Sequence, residues 1–163
     1  MKRTALKRKT PLARTSFVVK KSVPKKKSKV KSQAKYKKEL DAVFSRFIRY
    51  RDDGQCFTCP NKQHPKKMQN GHFVPRQYLT VRWDERNCNC QCYACNMLYG
   101  GQGATYAIRL AQKYGQDTVD YLESQRWVSV KLDIPWYIEQ IAIYTKLVEK
   151  YDNRGNEGSE EYP

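Results

Sequence analysis

Residues 87–96 read NCNCQCYACN, and this stretch holds four of the six cysteines of the chain. Cys92 and Cys95 form a Cys-x-x-Cys pair, and Cys56 and Cys59 form a second pair earlier in the chain. A two-residue gap lets both thiolates of a pair face one ion, so two pairs predict a tetrahedral S₄ zinc site with a structural role. Reduced buried cysteines or a redox pair are the alternatives. The redox alternative is disfavoured because neither pair follows a βαβ pattern.

Cys88 and Cys90 are surplus to a four-cysteine site. On an extended strand they share one face with Cys92, so the sequence alone leaves Cys90 open as a ligand. Cys-x-Cys spacing presents two sulfurs to one ion less well than Cys-x-x-Cys spacing. The sequence therefore favours Cys92 and Cys95 as ligands and predicts Cys88 and Cys90 as small buried apolar residues.

The formal net charge of +16 is concentrated at one end of the 163-residue chain. Residues 1–38 hold 16 Lys and Arg and no acid, whereas residues 39–163 hold 16 charges of each sign. Residues 1–32 also lack the apolar side chains for a core, which predicts a disordered basic arm. DNA is the expected partner, with Lys25, Lys26 and Lys27 among the contacts; a solubilising tail is the alternative.

The targeting signals expected of a secreted or membrane protein are missing from the sequence. The basic start is not followed by a signal-like apolar run, and no run is long enough to span a bilayer. A cytoplasmic location is expected, with thiols that are free or bound to metal.

The remaining patterns predict one folded domain over residues 33–152 and a frayed tail over 153–163. Apolar residues at helical spacing predict a first helix from about Ala34 to Arg51. A loose β-hairpin is expected between Met68 and Trp83, with strands at 73–74 and 78–81. A short helix is expected to open near Cys92 or Cys95 and to end before Gly100. Three more helices are expected at 105–114, 117–125 and 135–151.

The motifs around the cysteines resemble the zinc-bearing branch of the HNH (His-Me finger, ββα-metal) nucleases. In that pattern a histidine ends the first strand, an asparagine precedes the second cysteine pair by five residues, and His or Asn follows the last cysteine. His72, Asn87 and Asn96 stand at these positions. GHFVPR at 71–76, RWDERN at 82–87 and QCYACN at 91–96 more closely resemble the NinG/Rap family of phage recombination proteins. Tyr106 extends the match.

The resemblance implies an α+β fold, with a zinc-stapled ββα-metal (HNH-like) core and additional helices, to which the composition adds the disordered basic arm. It implies a metal-dependent endodeoxyribonuclease that acts in phage DNA recombination on branched intermediates, of Holliday junction or D-loop type. A non-specific HNH nicking nuclease and a non-catalytic zinc-containing DNA- or RNA-binding protein are the alternatives. Two symmetric cuts at a junction would suit a homodimer.

By the same resemblance, His72 is the general base, Asn87 braces the loop that aims it, and Asn96 is an oxygen ligand of catalytic Mg²⁺, or of Mn²⁺ in its place. Arg76, Arg82 and Arg86 are candidates to contact the DNA phosphate.

One position departs from the nuclease pattern. Many HNH nucleases place Asp or His immediately before the base as a metal ligand, whereas this chain has Gly71 there. Asn70, Gln69, substrate phosphate or water would have to complete the metal shell.

Overall fold

The computed structural model describes residues 31–157. It shows a mixed, helix-rich fold with a small two-stranded antiparallel sheet. Most of the predicted basic arm, including Lys25, Lys26 and Lys27, lies outside the described residues, as does the end of the predicted tail. The division into arm, domain and tail stays a prediction.

The first helix, α1, spans Gln33–Arg51 and confirms the predicted one. It packs against the last helix, α4, which spans Ile134–Glu157. The Tyr144 ring of α4 lies edge-on to Phe44 with a centroid distance of 4.8 Å, and it lies 5.1 Å from Phe47. This aromatic contact belongs to the largest apolar cluster, which also buries Trp83 and Tyr137.

The sheet joins β1 (Gln69–His72) to β2 (Cys88–Gln91). The two strands are antiparallel, with His72 opposite Cys88 and Gln69 opposite Gln91. This pairing places the histidine at the end of the first strand and carries the chain directly into the second cysteine pair.

The predicted hairpin between 68 and 83 is wrong, because residues 73–87 are the connection between the strands rather than a hairpin. Its backbone makes successive turns, in which Tyr78 N donates to Pro75 O and Asp84 N donates to Val81 O. Val74 and Val81 are apolar because they are buried in a second cluster with Tyr106, not because they alternate across a sheet.

The remaining helices lie close to their predicted positions. A π-helical turn, Ala94–Leu98, follows the second cysteine pair and ends before Gly100 as expected. Helix α2 spans Gly103–Tyr114 and ends at Gly115, whose φ of 89° lies in the left-handed region. Helix α3 spans Gln116–Ser124, and α4 continues past its predicted end at Tyr151. Among the described residues, no helix combines the length and the apolar character needed to cross a bilayer.

Candidate functional site

The four cysteines of the two Cys-x-x-Cys pairs come together as predicted. The sulfurs of Cys56, Cys59, Cys92 and Cys95 all lie within 4.8 Å of one another, and Cys59 Sγ is 3.8 Å from Cys92 Sγ. A tetrahedral zinc ion with Zn–S bonds of about 2.3 Å holds its sulfurs about 3.8 Å apart. The four thiols therefore have the chemistry and the spacing to hold a zinc ion.

The backbone around this cluster prepares one thiol for metal binding. Burial raises the pKa of Cys56, but hydrogen bonds from the backbone of Cys92 and Thr58 outweigh it and lower the pKa to about 6. The Cys92 N–H donates to Cys56 Sγ over 3.3 Å. Burial raises the pKa of Cys59 to about 12, so its proton leaves only when a cation replaces it.

Cys88 and Cys90 are fully buried on β2 and lie outside the four-sulfur cluster. Cys90 packs beside the cluster as an apolar neighbour, and burial raises its pKa to about 12. The Cys88 thiol lies 3.5 Å from the Arg82 carbonyl oxygen. Their prediction as small buried residues is confirmed.

Next to the cysteine cluster lies a cleft of about 680 Å³ that brings together several predicted site residues. His72 reaches it from the end of β1, Asn96 from the π-helical turn, and Arg76 from the connection between the strands. Burial lowers the pKa of His72 to about 4, with the nearby Arg82 backbone acting in the opposite direction. At neutral pH the imidazole is therefore uncharged, and the same burial makes it a weaker base than an exposed histidine.

Amide side chains form one wall of this cleft. Asn96 Nδ2 donates to Gln69 Oε1 over 2.6 Å, which leaves the Asn96 carbonyl oxygen for another partner. Asn70 lies on the same face of β1 as His72, two residues away. Asn70 Oδ1 is buried and has no hydrogen-bond partner among the described residues. An unsatisfied buried acceptor costs about 1–3 kcal/mol, so this oxygen is suited to a ligand that satisfies it.

Asn87 lies behind the cleft and not in it. It is completely buried; its Oδ1 accepts from Val74 N at 2.7 Å, and its Nδ2 donates to the carbonyls of Val74 (3.0 Å) and Val81 (2.9 Å). These bonds cross-link the connection that leaves His72. Asn87 therefore holds together the backbone on both sides of the turns that follow His72.

The close packing of β1 against β2 accounts for Gly71. A Cβ at Gly71 would lie 2.0 Å from Gln91 Oε1, on the face of the sheet opposite His72. Gln91 is itself fully buried and donates to Thr58 Oγ1 and to the Gly101 carbonyl. The hydroxyl of Tyr106 contacts the Gly71 and Asn87 carbonyls at 3.2 Å each, which ties α2 to the strand end.

The three predicted phosphate-binding arginines lie in different environments. Arg76 is exposed and lines the cleft. Arg82 is buried and donates through Nε to Asp41 Oδ1 over 2.8 Å, so a phosphate would have to displace a carboxylate from it. Arg86 pairs with Asp84 and lies 4.8 Å from the centroid of the Tyr121 ring; it is not part of the cleft lining.

Sequence reasoning missed two charged residues of the cleft, Asp41 and Arg49 of α1. Asp41 also accepts from Trp83 Nε1 at 3.0 Å, and so anchors the connection between the strands to the helix. Arg49 donates to the Pro65 and Met68 carbonyls, which fixes the entry to β1. Their partners are 16 to 42 positions away along the chain, and no local pattern signals such pairs.

Comparison with known proteins finds similarity to a family of phage proteins. A family model described as the bacteriophage lambda NinG protein matches residues 1–154. The protein ninG of Escherichia phage 933W is 32% identical over 96 residues, covering 55% of this chain and 47% of that protein. The ninG proteins of Escherichia phage lambda and Salmonella phage P22 are each 31% identical over similar shares, 55% and 47% for lambda and 56% and 48% for P22.

The chain thus spans about half the length of the curated relatives it matches. No solved structure matches it. The family model, in contrast, covers nearly the whole chain, from the basic arm to the last helix. On that match, the chain belongs to the NinG family of phage proteins.

Proposed function

We propose that this chain is a divalent-metal-dependent endodeoxyribonuclease with an HNH-like site, and that it acts on branched recombination DNA of Holliday junction or D-loop type. The observation that carries the proposal is the meeting of an uncharged imidazole, His72, with the amides of Asn70 and Asn96 and the cation of Arg76 in one cleft. Phosphodiester hydrolysis needs a base, a metal-binding oxygen set and a positive charge for the phosphate.

Each residue has a defined task in this proposal. His72 takes the proton of the attacking water, and Arg76 binds a non-bridging phosphate oxygen. Asn96 Oδ1 and the unpartnered Asn70 Oδ1 would hold Mg²⁺ or Mn²⁺, which prefer oxygen ligands and retain several waters. When bound, the ion would stabilise charge on the phosphate and the leaving oxygen. Asn87 keeps the strand connection rigid, so the His72 ring stays aimed into the cleft.

The order of the secondary-structure elements along the chain supports the proposal of an HNH-like site. Two antiparallel strands lead directly into the π-helical turn, and His72 and Asn96 stand on the first strand and on that turn. A ββα-metal core would use the same order, with the cysteine cluster as its structural staple.

The preference for branched DNA rests on the resemblance to phage recombination proteins, and the basic arm supports DNA as the partner. We place the activity in the cytoplasm of the bacterial host. A homodimer would supply the two cuts that resolve a junction symmetrically.

The second candidate function is that of a non-catalytic zinc-containing protein that binds nucleic acid. The observation that favours it is the scarcity of free carboxylates in the cleft. Among the described residues that line the cleft, Asp41 carries the only carboxylate, and that carboxylate is paired with Arg82. A catalytic ion would then depend on neutral amide ligands, which bind more weakly than carboxylates.

A nicking assay on supercoiled plasmid, with and without Mg²⁺ or Mn²⁺, tests the proposal. Nicking should require the added ion, and His72→Ala should reduce its rate by about 10²- to 10⁴-fold while DNA binding and zinc content persist. His64→Ala, which alters the other histidine of the chain, is the matched control and should nick normally. DNA binding without nicking by the unaltered chain would establish the second candidate instead.

A further inference from the structure

A short apolar segment projects into solvent directly after Asn96. Met97, Leu98 and Tyr99, which we term the rim segment, have side chains that are 59%, 64% and 63% exposed. No charged residue occurs between Asn87 and Ile108, so the segment lies within a long neutral stretch of a highly charged chain. Three consecutive large apolar side chains in water are costly unless a ligand covers them.

The base of the rim segment is firmly held although its tip is exposed. Cys95 belongs to the cysteine cluster, and the next residue, Asn96, bonds to Gln69 of β1. On the other side, the Gly101 carbonyl accepts from the buried Gln91 Nε2 at 2.9 Å. The chain turns back at Gly100 and Gly101, both at positive φ, where a Cβ would meet no atom within 4 Å. The segment is therefore anchored to the core at both of its ends.

The rim segment borders the proposed catalytic cleft. Met97, Gly100 and Gly101 line the same cleft as His72 and Asn96. Consecutive Cα atoms are about 3.8 Å apart, so Tyr99 lies within about 11 Å of Asn96 along the chain. Stacked nucleotides on one strand repeat about every 3.4 Å. A phosphate at His72 would therefore bring the bases one to three nucleotides away to the rim segment.

We propose that the rim segment is a wedge that inserts against unstacked bases next to the cleaved phosphate, and that it selects DNA whose base stacking is interrupted. The inference rests on the proposed function, since the cleft must hold the DNA backbone. Leu and Met side chains act as wedges between base steps in other DNA-binding proteins, and aromatic rings stack on unpaired bases. Bases at a branch point are already partly unstacked, so the wedge enters there at less cost than in linear duplex.

Nucleobases fit the position of this segment better than a protein partner does. A second copy of the chain seated on residues 97–99 would cover the mouth of the cleft and exclude the substrate. Residues 88–107 contain no acidic side chain that would repel the phosphates of a DNA strand. Arg76 supplies a positive charge in the cleft next to the rim segment.

The test uses the full chain carrying His72→Ala, so that no cleavage interferes, and a four-way junction with 2-aminopurine at the branch point. Binding should raise the 2-aminopurine fluorescence, because the base becomes unstacked. Leu98→Ala and Tyr99→Ala should abolish the rise and weaken junction binding by about 5- to 100-fold, with affinity for linear duplex nearly unchanged. Tyr99→Phe should retain both properties, because it keeps the aromatic face.

Ile108→Ala on α2 is the matched control, because that side chain is 61% exposed but lies away from the cleft lining. It should behave like the parent chain. Equal fluorescence and affinity for Leu98→Ala, Tyr99→Ala and Ile108→Ala would overturn the wedge. A shift from dimer to monomer in Leu98→Ala by sedimentation, with the fluorescence rise preserved, would also overturn it in favour of a second copy.

Failure of the wedge and failure of the proposed nuclease are distinguishable. If the unaltered chain nicks plasmid but the rim variants bind junctions normally, only the wedge is wrong. If the unaltered chain never nicks but the rim variants lose the fluorescence rise, the wedge holds and the nuclease is wrong.

Discussion

Gly71 shows how the space around one residue limits the chemistry beside it. Gly71 immediately precedes His72, at the position where many HNH nucleases carry a metal-binding side chain. The space that such a side chain would need is occupied by the buried side chain of Gln91. Under the proposed HNH-like function, this close packing would account for the glycine at that position, and an oxygen ligand would have to come from the other face of the sheet, where Asn70 lies.

Gly71→Ala should destabilise the protein because its Cβ would overlap Gln91 Oε1. Overpacking of this kind costs about 1–3 kcal/mol, to be measured by urea unfolding in the presence of zinc. Gln91→Ser should lower stability by removing bonds to Thr58 and Gly101. In Gly71→Ala/Gln91→Ser the clash is gone, so the double variant should lose less than the sum of the single variants. Strict additivity would show that the two side-chain positions do not compete for space.

The low pKa of His72 gives stability a pH dependence of defined sign. Burial lowers the pKa of His72 to about 4 in the folded chain, from the ordinary value of about 6.5 for an exposed histidine. Between these values the unfolded chain binds more protons, so stability rises with pH across this window and falls as the pH drops from 6.5 towards 4.

His72→Gln should remove this dependence. In unfolding measurements from pH 7.5 to pH 5 without Mg²⁺, the stability of the unaltered chain relative to His72→Gln should decline as the pH falls. His64→Gln, which removes the exposed histidine of the chain, is the matched control and should leave the decline of the unaltered chain in place. Parallel curves for the unaltered chain and His72→Gln would contradict the burial of the imidazole.

At the level of elements, local patterns predicted the helices and the cysteine pairs but not the sheet. The helical spacing from Tyr36 to Ile48 reflects the face that α1 buries, so α1 could be located to within a residue. The apolar residues between Phe73 and Val81 imitate strands because they fill a core cluster. The true second strand, CNCQ, has low intrinsic β propensity and is fixed by complete burial and by its pairing with β1.

The candidate site was predicted where it depends on motif spacing and missed where it depends on distant contacts. His72, Asn87, Asn96 and the four cysteines stand at fixed intervals in the sequence. The pairing of Asp41 with Arg82 joins a helix to a loop 41 positions away, which no window of sequence reveals.

Loss of any one cysteine of the four-sulfur cluster should release zinc and unfold the strands. Structural zinc contributes about 10–16 kcal/mol in small peptide sites, which is comparable to the stability of a whole domain. Metal analysis and circular dichroism of Cys56→Ser and Cys92→Ser should show this loss. Cys88→Ser and Cys90→Ser should keep one zinc per chain. Zinc retained by Cys92→Ser but lost from Cys90→Ser would reassign the ligands.

For the whole molecule, the uneven distribution of charge predicts that affinity for DNA and selectivity among DNA shapes depend on different parts of the chain. A segment rich in Lys and Arg, such as the basic arm, responds to phosphate density and not to branch shape. If six of its side chains meet phosphates, log K should fall with log salt with a slope about 5 units steeper than without the arm. Deleting residues 1–32 should therefore weaken binding at low salt and flatten the salt dependence, while zinc content and junction preference persist.

Competition between junction and linear duplex across a salt series measures both effects. An arm of unchanged length with every Lys and Arg replaced by Gln separates charge from length and should match the deletion. Loss of junction preference on deletion, with linear binding unchanged, would show that the arm itself recognises the branch.

The spacing of the cysteine pairs also has a consequence for the order of folding. Both strands lie in the interval between Cys59 and Cys92, so joining the pairs closes a loop that contains the whole sheet. Two four-residue strands are too short to persist alone in water, and bringing the loop ends together costs chain entropy before any strand contact forms. We therefore expect newly made chains to form α1 and α4 early and to remain without a cleft until a metal ion captures the sulfurs. The supply of zinc would then set how quickly the protein matures after synthesis.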